Sequence, residues 1–307
     1  MRVFCEVLQM IKGLIAPILS PFNDDLSFNK SLYSELAKEL INNGCAGLAP
    51  FGTTGEALSL TVSERMSALE ELIKSGINPK MIIPGTGLCN LEDTTVLSKH
   101  AVELGCAGVM TLPPFYFKGL SDEGYFEYFE RLIANINNNE LKIYLYHIPQ
   151  VSGVGLSIDL VTKLRTAYPE NVVGIKDSSG DWENTKKLLQ IDGLIVYPGA
   201  ELSVLESIRL GGPGCISATA NINSAEISKL IDLCHGGEWE AAGSAQKNVN
   251  AVRMLFQDYA PIPAQKALVA KRNNEPRWNN LRPPLIALEH NQRKILEDNL
   301  AGYGLFF

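Results

Sequence analysis

The chain has 307 residues, 46% hydrophobic and 20% charged, and a formal net charge of −7. That length allows one large domain or two, and an acidic balance with no dense Lys/Arg run argues against a nucleic-acid partner. Apolar stretches are interrupted well before the ~18 residues of a membrane span, and Glu6, Gln9 and Lys12 break any signal-peptide core, so a cytoplasmic protein is expected.

Short apolar segments alternate with helix-period segments along the chain. The first strand is "GLIAPILS" (13–20), followed by the helical "NKSLYSELAKELINN". "GCAGLAPF" (44–51) is second, and Thr61 with Glu64 forms a capping box that opens the next helix. "MIIPGTG" (81–87) is third, with a helix in "LEDTTVLSKHAVELG". "GCAGVMTLPP" (105–114) echoes the second strand, and then come "KIYLYHIP" (142–149), "VVGIKDSS" (172–179), "LIVYPGAE" (194–201) and "GCISATAN" (214–221). Beyond that, helical patterns run from Ser224 to Leu300, punctuated by "PIP" and "RPPL".

Eight nearly continuous apolar strands separated by helices indicate parallel strands covered on both faces. The expected fold is α/β: a (β/α)8 TIM barrel over residues 1–223, with 224–307 supplying its last helix and a small helical region packed on it. A doubly wound sheet would show a G-x-G-x-x-G after the first strand, and "PILSPFNDD" has none. Six cysteines (Cys5, Cys45, Cys89, Cys106, Cys215, Cys234) and four histidines are dispersed without C-x-x-C or H-x-x-x-H spacing. They read as buried thiols and scattered imidazoles, so no metal is expected.

In such barrels chemistry sits where strands end. After strand two comes "FGTTGE", where Gly52, Thr53, Thr54, Gly55 and Glu56 offer successive amides and two hydroxyls. Flanking glycines would let that string form a nest for a small carboxylate, although it also fits a tight turn. Tyr116 in "PPFYFK" fits packing, an interface or a site, and Tyr146 near the end of strand five needs a partner for its hydroxyl.

Lys176 lies in an apolar strand. By alternation it shares a face with Val172 and Gly174, opposite Val173 and Ile175, and Gly174 would leave room beneath the barrel mouth for the long side chain. Desolvation lowers a buried lysine's pKa by up to ~3–5 units, giving an amine able to form a Schiff base with Tyr146 moving protons. The competing reading is a rim lysine paired with Asp177.

Taken together, "FGTTGE", "YHIP", "GIKDSSGD" and "GCISATAN" resemble, in order and spacing, the dihydrodipicolinate synthase / N-acetylneuraminate lyase family of pyruvate-dependent class I aldolases. The resemblance implies Lys176 as Schiff-base lysine and Tyr146 as proton relay. Thr53 and Thr54 would bind the pyruvate carboxylate and pass protons between tyrosines, Thr54 counting among the catalytic residues. Tyr116 would enter a neighbouring subunit's site. Gly52, Gly199, Ile216 (through its backbone) and Ser178 would line the substrate pocket. It further implies a homotetramer built as a dimer of dimers, with pyruvate and a small aldehyde or 2-keto-3-deoxy acid as substrates and no cofactor beyond the covalent lysine.

One departure bears on the substrate. Where dihydrodipicolinate synthases read "NVPSRTG", with an Arg for the second substrate's carboxylate, this chain reads "HIPQVSGV", with His147 at the Asn and Val151 at the Arg. Valine offers a carboxylate no hydrogen bonds. Ser152, Gly153 and Val154 look more like sialic-acid lyases, whose Asp-Glu pair after strand seven is represented here only by Glu201. The expected activity is therefore an N-acetylneuraminate lyase-like or 2-keto-3-deoxy acid aldolase or dehydratase reaction. A metal- or phosphate-dependent barrel and a non-catalytic keto-acid sensor are the alternatives.

Overall fold

Prolines, which lack an N–H for the ladder, keep the strands short. The computed structural model describes residues 10–307, so the readings placed on Cys5, Glu6 and Gln9 lie outside the described residues. Strand β1 (Gly13–Ala16) stops at Pro17 and β2 (Gly47–Leu48) ends two residues before Pro50. The expected strand at 81–87 forms only isolated bridges, Leu48↔Ile82 and Gly85↔Met110, because Pro84 interrupts it. It still lies in strand position: Ile83 N–H donates to Leu48 O at 2.9 Å, and Met110 N–H to Pro84 O at 2.8 Å. The remaining strands are β3 (Val109–Thr111), β4 (Ile143–His147), β5 (Val172–Asp177), β6 (Ile195–Pro198) and β7 (Gly214–Ile216).

All ladders are parallel, in the orders β2-β1-β7 and β3-β4-β5-β6. The 82–86 segment joins β2 to β3, and β6 lies beside β7. The protein is a TIM barrel. Helices α1 (Lys30–Asn42), α2 (Val62–Lys74), α3 (Leu91–Glu103), α4 (Asp122–Ile136), the single turn α5 (Pro149–Ser152), α6 (Ile158–Ala167), α7 (Trp182–Leu188) and α8 (Val204–Arg209) fill the connections. The capping box forms as expected: Glu64 N–H donates to Thr61 Oγ1, and Thr61 N–H to the Glu64 carboxylate.

After β7 come α9 (Ala220–His235), α10 (Trp239–Met254), α11 (Pro261–Arg272) and α12 (His290–Ala301). Residues 217–221 were expected to extend the last strand, but α9 begins at Ala220, so the expected division at 223 falls inside a helix broken only by non-helical Asn223 (φ −130°, ψ 36°). The buried Asn221 side chain explains the early turn. Its amide donates to Pro17 O at 3.1 Å and its oxygen accepts from Leu19 N–H at 3.3 Å, satisfying the backbone left unpaired where Pro17 ends β1.

The core has two layers, as strands buried on both faces require. Ile15, Ile83, Met110, Tyr144, Tyr197 and Ile216 fill the barrel, whereas Leu14, Val172 and Ile175 pack outward under the helices. Cys45, Cys106, Cys215 and Cys234 are buried, and burial pushes the Cys45 and Cys106 thiols up to about 12. Cys89 is exposed, contrary to expectation, on the turn before α3. No helix among the described residues is long and apolar enough to cross a membrane.

Candidate active site

A β-bulge interrupts the strand that carries Lys176. Tyr144 on β4 pairs with Gly174 while the preceding Ile143 pairs with Val172, leaving Val173 as an extra residue. Simple alternation therefore fails at this end of β5: Val172 packs outward with Ile175, while Val173 joins the interior. Gly174 does not make room for the lysine either. A Cβ there would meet Tyr144 Cδ1 and Ile195 O, each at 2.6 Å, so the missing side chain accommodates the Tyr144 ring and the neighbouring strand.

Lys176 is 4% exposed, and its Nζ lies 3.5 Å from the Tyr146 hydroxyl and 4.4 Å from the Tyr146 ring centroid. The rim pairing with Asp177 does not form. Asp177 Oδ2 instead accepts from Thr185 Oγ1 at 2.7 Å and Asn184 Nδ2 at 3.1 Å, and Oδ1 accepts from Ser179 N–H at 2.9 Å. That carboxylate organises the start of α7, which Asp181 caps. Lys176 thus faces a phenol without a bonded carboxylate, an arrangement that leaves its amine directed at the cavity.

The Tyr146 hydroxyl also meets Thr53 Oγ1 at 3.1 Å. Thr53, rather than Thr54, therefore reaches the Tyr146 hydroxyl. Thr54 lines the same cavity without reaching Tyr146. The loop also turns differently from expectation: left-handed φ falls at Phe51 (59°) and Glu56 (52°), not at Gly52 or Gly55. Among the described residues no acceptor takes the Thr53 or Thr54 N–H, so these amides are available to an anion. A fully buried ion pair holds the end of the loop, with Lys266 Nζ on α11 bonded to Glu56 Oε1 at 2.8 Å and to Ser20 O at 2.9 Å. Burial lowers the Lys266 pKa to about 8 and raises that of Glu56, each opposed by the other's charge.

Lys176, Tyr146, Thr53, Thr54, Ser178 and Gly199 all line one cavity of about 650 Å³. Gly52 instead lines an adjoining apolar cavity of about 210 Å³ that shares Thr53, Tyr146 and Val151. Two expected site residues are displaced. Ile216 is fully buried in the barrel interior, paired with Ile15, and Ala218 takes its place on the cavity wall. Glu201 is also fully buried and off the wall: Oε2 accepts from the Ser217 hydroxyl while Oε1 has no partner. The short helical turn Glu201–Ser203 directs it inward, leaving Ala200, Leu202 and Ser203 facing the cavity. His147 is buried off the wall, its Nδ1 accepting from Leu156 N–H at 2.9 Å, and desolvation lowers its pKa against the opposing charge of Asp177.

Tyr116 is 75% exposed and lines neither cavity, so it is outside this chain's own site. Its loop is fixed by Lys118, whose Nζ donates to Ser152 O at 2.6 Å. Sequence reasoning missed Arg253 on α10, which lines the cavity, and the Glu56–Lys266 pair. Helical spacing from Gln246 and Asn250 is the only sequence signal for Arg253; nothing local links Glu56 to a residue 210 positions away.

Fold and site together define a TIM barrel with a lysine, tyrosine and threonine converging at its strand ends. The Dihydrodipicolinate synthetase family model matches residues 10–302, and the chain belongs to that family of lyases and aldolases. It is 32% identical to a DapA-like lyase of Chloroflexus aurantiacus, covering 92% of this chain and 93% of the relative. It is 31% identical to 4-hydroxy-tetrahydrodipicolinate synthase 1 of Halalkalibacterium halodurans, covering 94% and 95%. The solved dihydrodipicolinate synthase of Agrobacterium tumefaciens superposes with a TM-score of 0.87 at 32% identity, over 96% of this chain and 99% of that one.

Proposed function

We propose that the chain is a class I aldolase or related lyase that forms a Schiff base between Lys176 and pyruvate. The observation that carries this reading is the contact series from Lys176 Nζ to the Tyr146 hydroxyl (3.5 Å) and on to Thr53 Oγ1 (3.1 Å), beside two unoccupied loop amides. The Lys176 amine attacks the C2 carbonyl, and loss of water leaves an iminium whose positive nitrogen accepts electrons. Removal of a C3 proton gives an enamine that adds to an aldehyde carbon. The reverse sequence cleaves a 2-keto acid to pyruvate.

Tyr146 exchanges protons with the substrate, and Thr53 hands them onward. The Thr53 and Thr54 amides hold the pyruvate carboxylate, as oriented N–H groups hold other anions. No metal or organic cofactor takes part in the proposed sequence. Tyr116 completes the relay of a second copy in a homotetramer, a role its exposure favours. Val151, 62% exposed on the cavity rim, offers no hydrogen bond to a second substrate and favours a keto acid other than that of the synthases.

Borohydride reduction in the presence of pyruvate tests the reading. A stable three-carbon adduct on Lys176 is expected, formed about 10²–10⁴ times more slowly in Tyr146→Phe, the usual contribution of a positioned acid–base group. A folded protein that gains no adduct overturns it.

A further inference from the structure

The Tyr116 side chain takes its position from the backbone beneath it. It is 75% exposed and meets Phe117 edge-on, with ring centroids 5.5 Å apart, and Phe117 is itself 66% exposed. That backbone is poorly anchored. Pro113 and Pro114 lack an N–H, and among the described residues no backbone group from Pro113 to Leu120 bonds to another backbone group.

The tie comes from a side chain two residues further on. Lys118 Nζ donates to Phe115 O within the same β3–α4 connection and to Ser152 O on α5 at 2.6 Å. The far end of this strap is a fixed turn. Ser152 N–H donates to Ile148 O at 3.0 Å, the Ser152 hydroxyl to Val154 O at 2.7 Å, and Gly153 N–H to Pro149 O at 2.9 Å. Gly153 has a left-handed φ of 69°, and a Cβ there would stand 2.9 Å from Lys118 Nζ, so the ammonium packs where the turn carries no side chain.

The α5 turn is in turn fastened to the strands that carry the reactive pair. It follows β4 directly, and Gln150 Nε2 donates to Ser178 O, just beyond β5, at 2.5 Å. Through Lys118, the connection bearing Tyr116 is held to the same frame as Tyr146 and Lys176. A hydrogen bond from a charged group shifts such an ordering equilibrium by roughly tenfold to a hundredfold, and a site that depends on the ordered arrangement loses rate in proportion to its population.

Resting on the pyruvate reading above and on the entry of Tyr116 into a second copy's site, we infer that Lys118 is a positioning residue that acts in trans: its strap to Ser152 O sets Tyr116 for the neighbouring copy's Lys176, not for its own.

Mixed assemblies test this. Two differently tagged chains, one Lys176→Ala and the other Tyr116→Phe, are produced together and purified through both tags. In them an intact Lys176 receives an intact Tyr116 only from a Lys176→Ala neighbour. The pyruvate adduct on Lys176, quenched into borohydride and read by mass spectrometry, should form with a fast phase that Tyr116→Phe assemblies lack. Adding Lys118→Met to the Lys176→Ala chain should slow that phase roughly tenfold to a hundredfold, whereas adding it to the Tyr116→Phe chain should leave it within about threefold. Lys118→Arg on the Lys176→Ala chain should restore part of the rate, because it still donates to Ser152 O. An effect that follows the chain carrying Lys176, an equal effect from either chain, no effect from either, or no fast phase at all overturns the inference. The adduct on wild-type protein reports separately on the Schiff-base reading, so failure of one is distinguishable from failure of the other.

Discussion

Replacing Lys266 with methionine isolates the buried pair that anchors the threonine loop. The substitution keeps an unbranched side chain but removes an ammonium that lies 4.6 Å from the Phe22 ring centroid and is bonded to Glu56 Oε1 (2.8 Å) and Ser20 O (2.9 Å). Glu56 Oε2 already has no partner, so the variant leaves a buried carboxylate with neither oxygen hydrogen-bonded. Removing one member of such a pair costs about 3–5 kcal/mol. With an unfolding entropy of roughly 0.6 kcal/mol/K for a chain of this length, the melting temperature should fall by about 5–8 °C.

The deficit should depend on pH with a definite sign. Burial raises the Glu56 pKa in the folded protein, and loss of the lysine charge raises it further. A carboxyl with a raised folded pKa is stabilising while protonated, and that contribution disappears as pH rises through the folded value. The variant should therefore lie nearer to wild type at pH 5 than at pH 8. Lys266→Met/Glu56→Leu, which removes both charges, should recover most of the loss. Differential scanning calorimetry at the two pH values reads all three proteins. A double variant no more stable than Lys266→Met, or a deficit larger at pH 5, would refute the reasoning.

Two other perturbations probe the frame around the site. Arg282 forks Glu64, with Nη2–Oε1 at 2.5 Å and Nη1–Oε2 at 3.0 Å, and also donates to Leu26 O and Ser59 O; these bonds hold the Glu64 carboxyl at about 2. Its folded pKa is depressed, so its stabilisation is present above the ordinary value of 4.5 and is lost as pH falls toward 2. Glu64→Gln should flatten thermal stability against pH across that window, and an unchanged slope would count against the fork. Gly199→Ala would put a methyl 1.9 Å from Ser178 Oγ and 2.7 Å from Ser178 Cα, an overpacking cost of about 1–3 kcal/mol. Ser178→Gly in addition should recover only part of it, because the backbone clash remains; full recovery in chemical denaturation would locate the strain in the hydroxymethyl alone.

The sequence alone determined the class of fold and most of the residues that line the candidate site, because both are written in local chemistry. Alternating apolar and amphipathic runs specify parallel strands under helices wherever they occur. Lys176, Tyr146 and the two threonines each follow such a run, which in a barrel places them at one end. Prolines at 17, 50 and 84 were equally visible, and their missing N–H groups account for the shortened strands.

Only the tertiary structure decided what depends on register and long-range contact. The bulge at Val173 rotates one residue pair and cannot be inferred from alternation, which assumes its absence. That Thr53 rather than Thr54 reaches Tyr146 follows from left-handed turns at Phe51 and Glu56, and Glu56 is held by a lysine 210 residues away. Glu201 turns into the core toward Ser217, while Arg253 reaches the cavity because Gln246 and Asn250 fasten its helix to the β6–α8 connection. Local sequence sets which groups can do chemistry, whereas packing between distant segments sets which of them meet.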